Sequence, residues 1–272
     1  VYKRQEISSL NLNSKEREQY IRPIFGSEEF ISGKTRYCIW IKDELADHAT
    51  KHPVLGERLD AVRKMRLSST KAATRSGAQW PHRFDERRQV GDEIVIVVPA
   101  VSSENREFLP CGLLPAGNII TNRNFGIYNA PIWNLAILVS RIHWVWIDAI
   151  CGKLELRFNY SNTLGWNTFP IPSLTEKNKA DLTRCAEDIL LAREAHFPAT
   201  IADLYEVKDG ESKMPENLRH AHERNDEVLE RIYIGRRFKN DTERLEKLFE
   251  LYTKMTAEQK PVGARKTKAA KS

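Results

Sequence analysis

Three side chains at alternate positions, Glu155, Arg157 and Asn159, carry the most specific chemistry in the chain. They sit in Gly152-Lys-Leu-Glu-Leu-Arg-Phe-Asn-Tyr160 and alternate with Leu154, Leu156, Phe158 and Tyr160. Strict alternation predicts one β-strand over Lys153–Tyr160, with an apolar face in a core and a polar face outward. An arginine fork matches the edge of guanine, an asparagine amide matches adenine, and a glutamate accepts from the amino group of cytosine. The same residues also suit an exposed strand face with a cross-strand ion pair. The strand alone leaves both readings open.

A second chemistry is positive charge. Residues 51–90 hold ten Lys and Arg against four Asp and Glu. Arg63, Lys64 and Arg66 lie on or beside a predicted helix over Pro53–Met65, whose Leu55, Leu59, Val62 and Met65 recur at three- and four-residue steps. Lys71 and Arg75 follow in a Ser/Thr-rich stretch. Residues 79–90 then interleave Trp80, His82 and Phe84 with Arg83, Arg87 and Arg88. These eight cations are candidates for DNA backbone phosphates, with stacking beside them. A surface loop packed by its own aromatics fits residues 79–90 equally well. By contrast, residues 175–259 carry fifteen Lys and Arg against nineteen Asp and Glu. Residues 260–272 add five Lys and Arg and no acid, which accounts for most of the net +6. That last stretch reads as a basic disordered tail.

Catalytic signatures are missing. No Gly-x-Gly-x-x-Gly, Walker-type Gly-Lys-Ser/Thr, His-Glu-x-x-His or Gly-x-Ser-x-Gly occurs. Asn129-Ala-Pro-Ile-Trp133 has only part of an Asn-Pro-Pro-aromatic motif and is better explained as the start of a helix. Cys38, Cys111, Cys151 and Cys185 have no metal-ligand spacing and read as reduced thiols, so no metal is expected. The most apolar run, Pro131–Cys151, is broken by Arg141, His143 and Asp148, so a buried helix is expected and no membrane span. His143 reads as a hydrogen-bonded core histidine. No self-contained active site is expected.

The elements that must position these groups define an α+β chain. Thr35–Ile41 and Glu93–Pro99 read as strands, and Gly117–Asn124 as a short strand running out into a polar turn. Asn122 and Arg123 therefore stand at a strand end, where a sheet can hold an adaptable polar group toward a partner. A long buried helix is predicted over Ala130–Ile150, with Pro131 in its first turn and Gly152 after its end. Composition shifts after Pro172. Ser173-Leu-Thr-Glu176 has the form of a capping box, and Asp241 can cap the last helix. The predicted organisation is a mixed α/β domain over 1–172, an all-α helical domain over 173–259 and the tail over 260–272.

Three separated stretches resemble one family. They are Tyr20-Ile-Arg-Pro-Ile-Phe-Gly with Arg36-Tyr-Cys-Ile-Trp-Ile41; Pro99-Ala-Val-Ser-Ser-Glu-Asn-Arg106 through Ser140-Arg-Ile-His143 to Asn167-Thr-Phe-Pro-Ile-Pro172; and Ala202-Asp-Leu-Tyr205 through Ala221-His222 to Leu245–Tyr252. In this order they resemble the C-terminal part of MmeI-like adenine-specific DNA methyltransferases, including type IIG restriction–modification enzymes. The resemblance implies a target recognition domain followed by a helical domain. It implies double-stranded DNA as partner, and an upstream catalytic domain of the same polypeptide that binds S-adenosyl-L-methionine (SAM). It also implies a bacterial cytoplasmic setting and a role in phage defence. It places base-reading side chains at Asn122 and Arg123, and at Glu155, Arg157 and Asn159. The alternative is a protein-interaction or separate specificity subunit without catalysis of its own.

Overall fold

A computed structural model describes residues 1–103, 105–154 and 157–259, and they fall into two compact units, each assembled from separated stretches. The first unit takes residues 1–101, 110–132 and 193–215; the second takes 102–109, 133–192 and 216–272.

In the first unit, a helix α1 (Ala46–Lys51) turns directly into α2 (Pro53–Leu67). Pro53 occupies the first turn, and the His52 ring caps the helix by accepting from the Leu55 amide. Gly56 is required at this corner, because a Cβ there would lie 2.4 Å from the Thr50 carbonyl oxygen. Leu55 and Leu59 are buried with Tyr20 and Ile41. Met65, expected on that face, is 58% exposed. At 100° per residue it lies well round the helix from Leu55, and the apolar stripe ends before it.

Two small sheets complete this unit. Strand β1 (Ile21–Phe25) pairs antiparallel with β2 (Arg36–Ile39). Strand β3 (Val95–Pro99) is buried throughout and pairs antiparallel with β4 (Gly112–Leu114). Strand β5 (Ile119–Ile120) joins the first sheet, parallel to β1. Strand β6 (Asn124–Tyr128) joins the second, antiparallel to β3. Three residues therefore carry the chain from one sheet to the other, and Asn122 and Arg123 are among them. Gln89 supports the same crossing, since its buried amide both donates to and accepts from the Ile120 backbone.

In the second unit the expected long helix is two helices, α3 (Trp133–Leu138) and α4 (Arg141–Ile150). Ser140 causes the break. Its hydroxyl donates to the Ile137 carbonyl at 2.7 Å and accepts from the His143 amide at 3.2 Å, ending one helix and capping the next. Both helices are buried, as expected of this apolar run. His143 is fully buried, with Nε2 against the Tyr160 hydroxyl at 3.2 Å. Burial pulls its pKa down to about 3, so the ring is neutral.

The single strand expected over Lys153–Tyr160 is a hairpin of β7 (Lys153–Leu154) and β8 (Arg157–Asn159). Lys153 pairs with Phe158, and Leu154 with Arg157. Register explains the miss. Alternation in the sequence continues through a two-residue connection although the chain has reversed.

Helices α5 (Glu176–Glu194), α6 (Glu216–Ile234) and α7 (Asp241–Gln259) confirm the helical character of the C-terminal part. Their caps differ from expectation. Thr175 and Asn178 exchange the capping hydrogen bonds in place of Ser173 and Glu176. Asn240 caps α7, which leaves Asp241 to bind Arg141 and Arg244. No helix among the described residues is long and apolar enough to cross a membrane.

One half-buried carboxyl ties α4 to α6. Asp226 accepts from the Arg141 amide at 2.7 Å. Burial is the largest influence on it and raises its pKa to about 7, with Glu230 adding to the rise. The unfolded chain gives up this proton near pH 4 and the folded chain only near pH 7, so the group erodes stability as pH climbs between those values. Asp226→Asn keeps an acceptor without the charge. The variant is expected to exceed the parent in stability above pH 7 by about 1–3 kcal/mol, and the difference should vanish near pH 4. Urea denaturation across pH reads it, and a pH-independent difference would refute the assignment.

Candidate nucleic-acid interface

The most constrained candidate is the turn between β5 and β6. Both Asn122 and Arg123 are exposed, and neither side chain has a partner among the described residues. Their backbone is the opposite case. The Thr121 amide donates to the Phe25 carbonyl at 2.9 Å, and the Asn124 amide returns to the Thr121 carbonyl at 3.0 Å. The Arg123 carbonyl accepts from the Ala100 amide at 3.0 Å and also from the Ser27 hydroxyl. The side-chain amide of buried Asn124 donates to the Phe25 carbonyl at 2.9 Å. Two exposed polar side chains thus stand on a backbone held by β1, β3 and the Gly26–Ser27 corner. Ser27 and Asn124 are supports of this turn that sequence reasoning missed. The signal lay in their small polar types beside strand ends, but only the tertiary pairing gives it meaning.

In the second unit, Asn159 is exposed at the end of β8. Its amide donates to the Gly152 carbonyl at 3.1 Å, which closes the hairpin. Arg157 holds the alternate position of the same strand. Glu155 lies outside the described residues, as does the Arg157 side chain.

The eight basic candidates divide by what already occupies them. Arg66 donates to the carbonyls of Gly77, Trp80 and Arg83 at 2.8, 2.9 and 2.6 Å and so serves as a brace. Arg75 does the same for Ser69 and Thr70. Arg83 and Arg87 converge on Asp43, with His82 as a third donor. These hydrogen bonds, led by that of Arg83, hold the Asp43 carboxyl well below the usual range. Arg63 makes a loose pair with Asp60 at 3.3 Å, and Arg88 with Glu86 at 3.4 Å, all four being exposed. Such pairs are worth little and yield readily to a stronger anion. Lys64 and Lys71 are exposed, with no side-chain partner among the described residues.

No group of three metal-ligating side chains occurs among the described residues. The four cysteines are buried, and burial lifts Cys38 and Cys111 to about 12, so these two thiols stay protonated.

Comparison with known proteins places this geometry. The model of the MmeI target recognition domain matches residues 1–173, and that of the MmeI C-terminal domain matches residues 174–259. The chain belongs to the MmeI family and comprises those two parts of it. DNA methyltransferase A of Bacillus subtilis (strain 168) is 39% identical over 237 residues, which is 87% of this chain and 26% of that protein. A solved structure of the type IIL restriction–modification enzyme MmeI in complex with DNA aligns with a TM-score of 0.85 at 30% identity. It covers 94% of this chain, and the chain spans 34% of it.

The turn's rigidity is testable without any ligand. Asn124→Ala deprives the Phe25 carbonyl of the second of its two donors and is expected to cost about 1 kcal/mol or more. Ser27→Ala should cost about 1 kcal/mol. In both variants amide exchange at residues 121–124 should accelerate ahead of β3, as hydrogen exchange with mass spectrometry can show. Uniform acceleration over the whole unit would contradict a local brace.

Proposed function

We propose that this chain is the sequence-reading part of a site-specific DNA adenine methyltransferase of the restriction–modification type. The observation that carries the reading is the braced turn, which holds two exposed, unengaged polar side chains on a fixed backbone. Recognition needs that combination, because the side chains must find base edges without the backbone giving way. Asn122 and Arg123 read bases from the first unit, and Glu155, Arg157 and Asn159 read bases from the hairpin of the second. Membership of the MmeI family supports the assignment.

In this reading, phosphate contacts supply affinity and register. Lys64 and Lys71 are the readiest donors, followed by Arg63 and Arg88, whose present partners are weak. Arg83 and Arg87 present one guanidinium edge to Asp43, so they act as an organised cation pair. Arg66 and Arg75 shape the surface from behind. Residues 1–172 form the recognition domain, the helices of 173–259 brace it, and the 260–272 tail adds salt-sensitive contact. Methyl transfer belongs to an upstream domain that binds SAM and receives the target adenine out of the stack. A fused nuclease is compatible with the same arrangement.

Binding of the full-length protein to its target duplex tests this reading. Affinity should fall steeply with salt, whereas an apolar protein-docking surface would show little salt dependence. Arg157→Ala should relax choice at a single base pair, at a cost of about 1–3 kcal/mol on the preferred site. Equal weakening on every duplex would make Arg157 a phosphate contact. For Lys64→Ala and Lys71→Ala the expected result is reversed. Each should weaken all sequences alike and lower the salt slope by about 1. Altered base preference in either lysine variant would undo the division between reading and holding.

A further inference from the structure

One pocket of the first unit is built for more than phosphate. It has a volume of about 660 Å³, within the ordinary range for ligand sites, and its walls include Trp80, Phe84 and Arg88. Trp80 is 44% exposed and Phe84 37%. Trp40 stacks on Phe84 at 5.5 Å between ring centres and 28° between planes, which fixes the Phe84 ring from one side. Trp40 is itself fixed, since its ring nitrogen donates to the Val90 carbonyl at 2.8 Å. On the other flank the Arg83 guanidinium lies over the Trp80 ring at 5.0 Å. Open aromatic surface is thus held in place amid arginines.

We propose that this pocket binds an unpaired nucleotide of the DNA, its base stacked on Phe84 and Trp80 and its phosphate held by Arg88. The inference rests on the DNA-binding reading and adds a ligand to it. A paired base hides both faces in the stack, so a duplex backbone offers a protein ring nothing to stack on. Arginines alone would satisfy a phosphate, and fixed, water-exposed rings beside them would be a cost without return. An unpaired base supplies the missing partner, since it has a free π-face whatever its identity. Arg88 is the guanidinium available for the phosphate. Asp43 already engages Arg83 and Arg87, backbone carbonyls engage Arg66, and the ion pair of Arg88 among the described residues is the loose 3.4 Å contact with Glu86. The nucleotide can come from the duplex by extrusion or from a single-stranded flank; the stacking chemistry is common to both.

The test compares an unpaired base with no base. Full-length protein is titrated with its target duplex fully paired, with one nucleotide left unpaired at successive positions, and with an abasic residue at each of those positions. A parallel series places the unpaired or abasic nucleotide in a single-stranded flank, which separates the two sources. The expected result is a position at which the unpaired base binds about tenfold or more tighter than the abasic residue. Phe84→Ala should bring that ratio close to one, and Phe84→Tyr should restore it. Because a ratio is read, overall weakening of the variant does not mimic the effect. Unpaired oligonucleotide should also quench tryptophan emission, and Trp80→Phe should remove that part of the quench. A ratio near one at all positions, or a ratio that survives Phe84→Ala, overturns the pocket while paired-duplex binding still supports the DNA-reading function. Absence of binding to any duplex overturns both.

Discussion

The Arg123 carbonyl is the point on which the turn between β5 and β6 depends. It accepts from the Ala100 amide, which follows β3, and from the Ser27 hydroxyl, which follows β1. One oxygen thus fastens the turn to elements of both sheets. The side chains on that turn can then stay unengaged without making it floppy. Buried backbone polar groups must be paired, and here the pairing that satisfies them also fixes the geometry of the turn. A turn satisfied by its own Asn and Arg side chains would be as stable, but it would have nothing left to present. The turn thus separates a backbone that is bonded from side chains that face solvent.

The same separation sorts the basic residues. Charge counted along the sequence treats Arg66, Arg75 and Lys64 alike. The structure shows that a guanidinium with five fixed donors is often consumed by carbonyls, whereas a lysine on the outer face of α2 is left in solvent. Arg66 shows the extreme, since three carbonyls of the 77–83 segment share it. Asp43 performs a related task for Arg83 and Arg87. A carboxylate within a basic surface appears to oppose anion binding when charges are merely summed. It also keeps two long side chains from scattering, and the entropy of ordering them is met before any partner arrives.

What the sequence made legible follows from which signals are local. The α+β character, the buried β3, the helix read over 53–65 and the three long C-terminal helices came from periodicity, which is confined to a few residues, although two of the caps fell elsewhere than expected. The strand-end position of Asn122 and Arg123 was equally local. The break at Ser140 was not, because an apolar run continues unchanged across it and only the hydroxyl's two bonds divide it. The hairpin at 153–159 was hidden for a related reason: a period of two survives chain reversal. Hardest to see were Ser27 and Asn124. They stand 97 positions apart, yet the Ser27 hydroxyl reaches the Asn124 side-chain oxygen at 3.1 Å. No spacing rule reaches across that distance.

The family match and the compact units cut the chain differently, and the difference has physical content. The family models meet between residues 173 and 174, whereas the second unit takes residues from both sides of that point. Within it Asn225 donates to the Ala136 carbonyl at 2.8 Å, the Asp226 carboxyl meets the Arg141 amide, and the Tyr233 hydroxyl donates to the Pro170 carbonyl at 2.9 Å. Each bond links a helix after residue 173 to a segment before it. Trp146 adds ring contacts with Phe249 and Tyr252 of α7. Helices α6 and α7 therefore form a common core with α3 and α4, which immediately precede the hairpin. A cut between residues 173 and 174 would therefore run through this core.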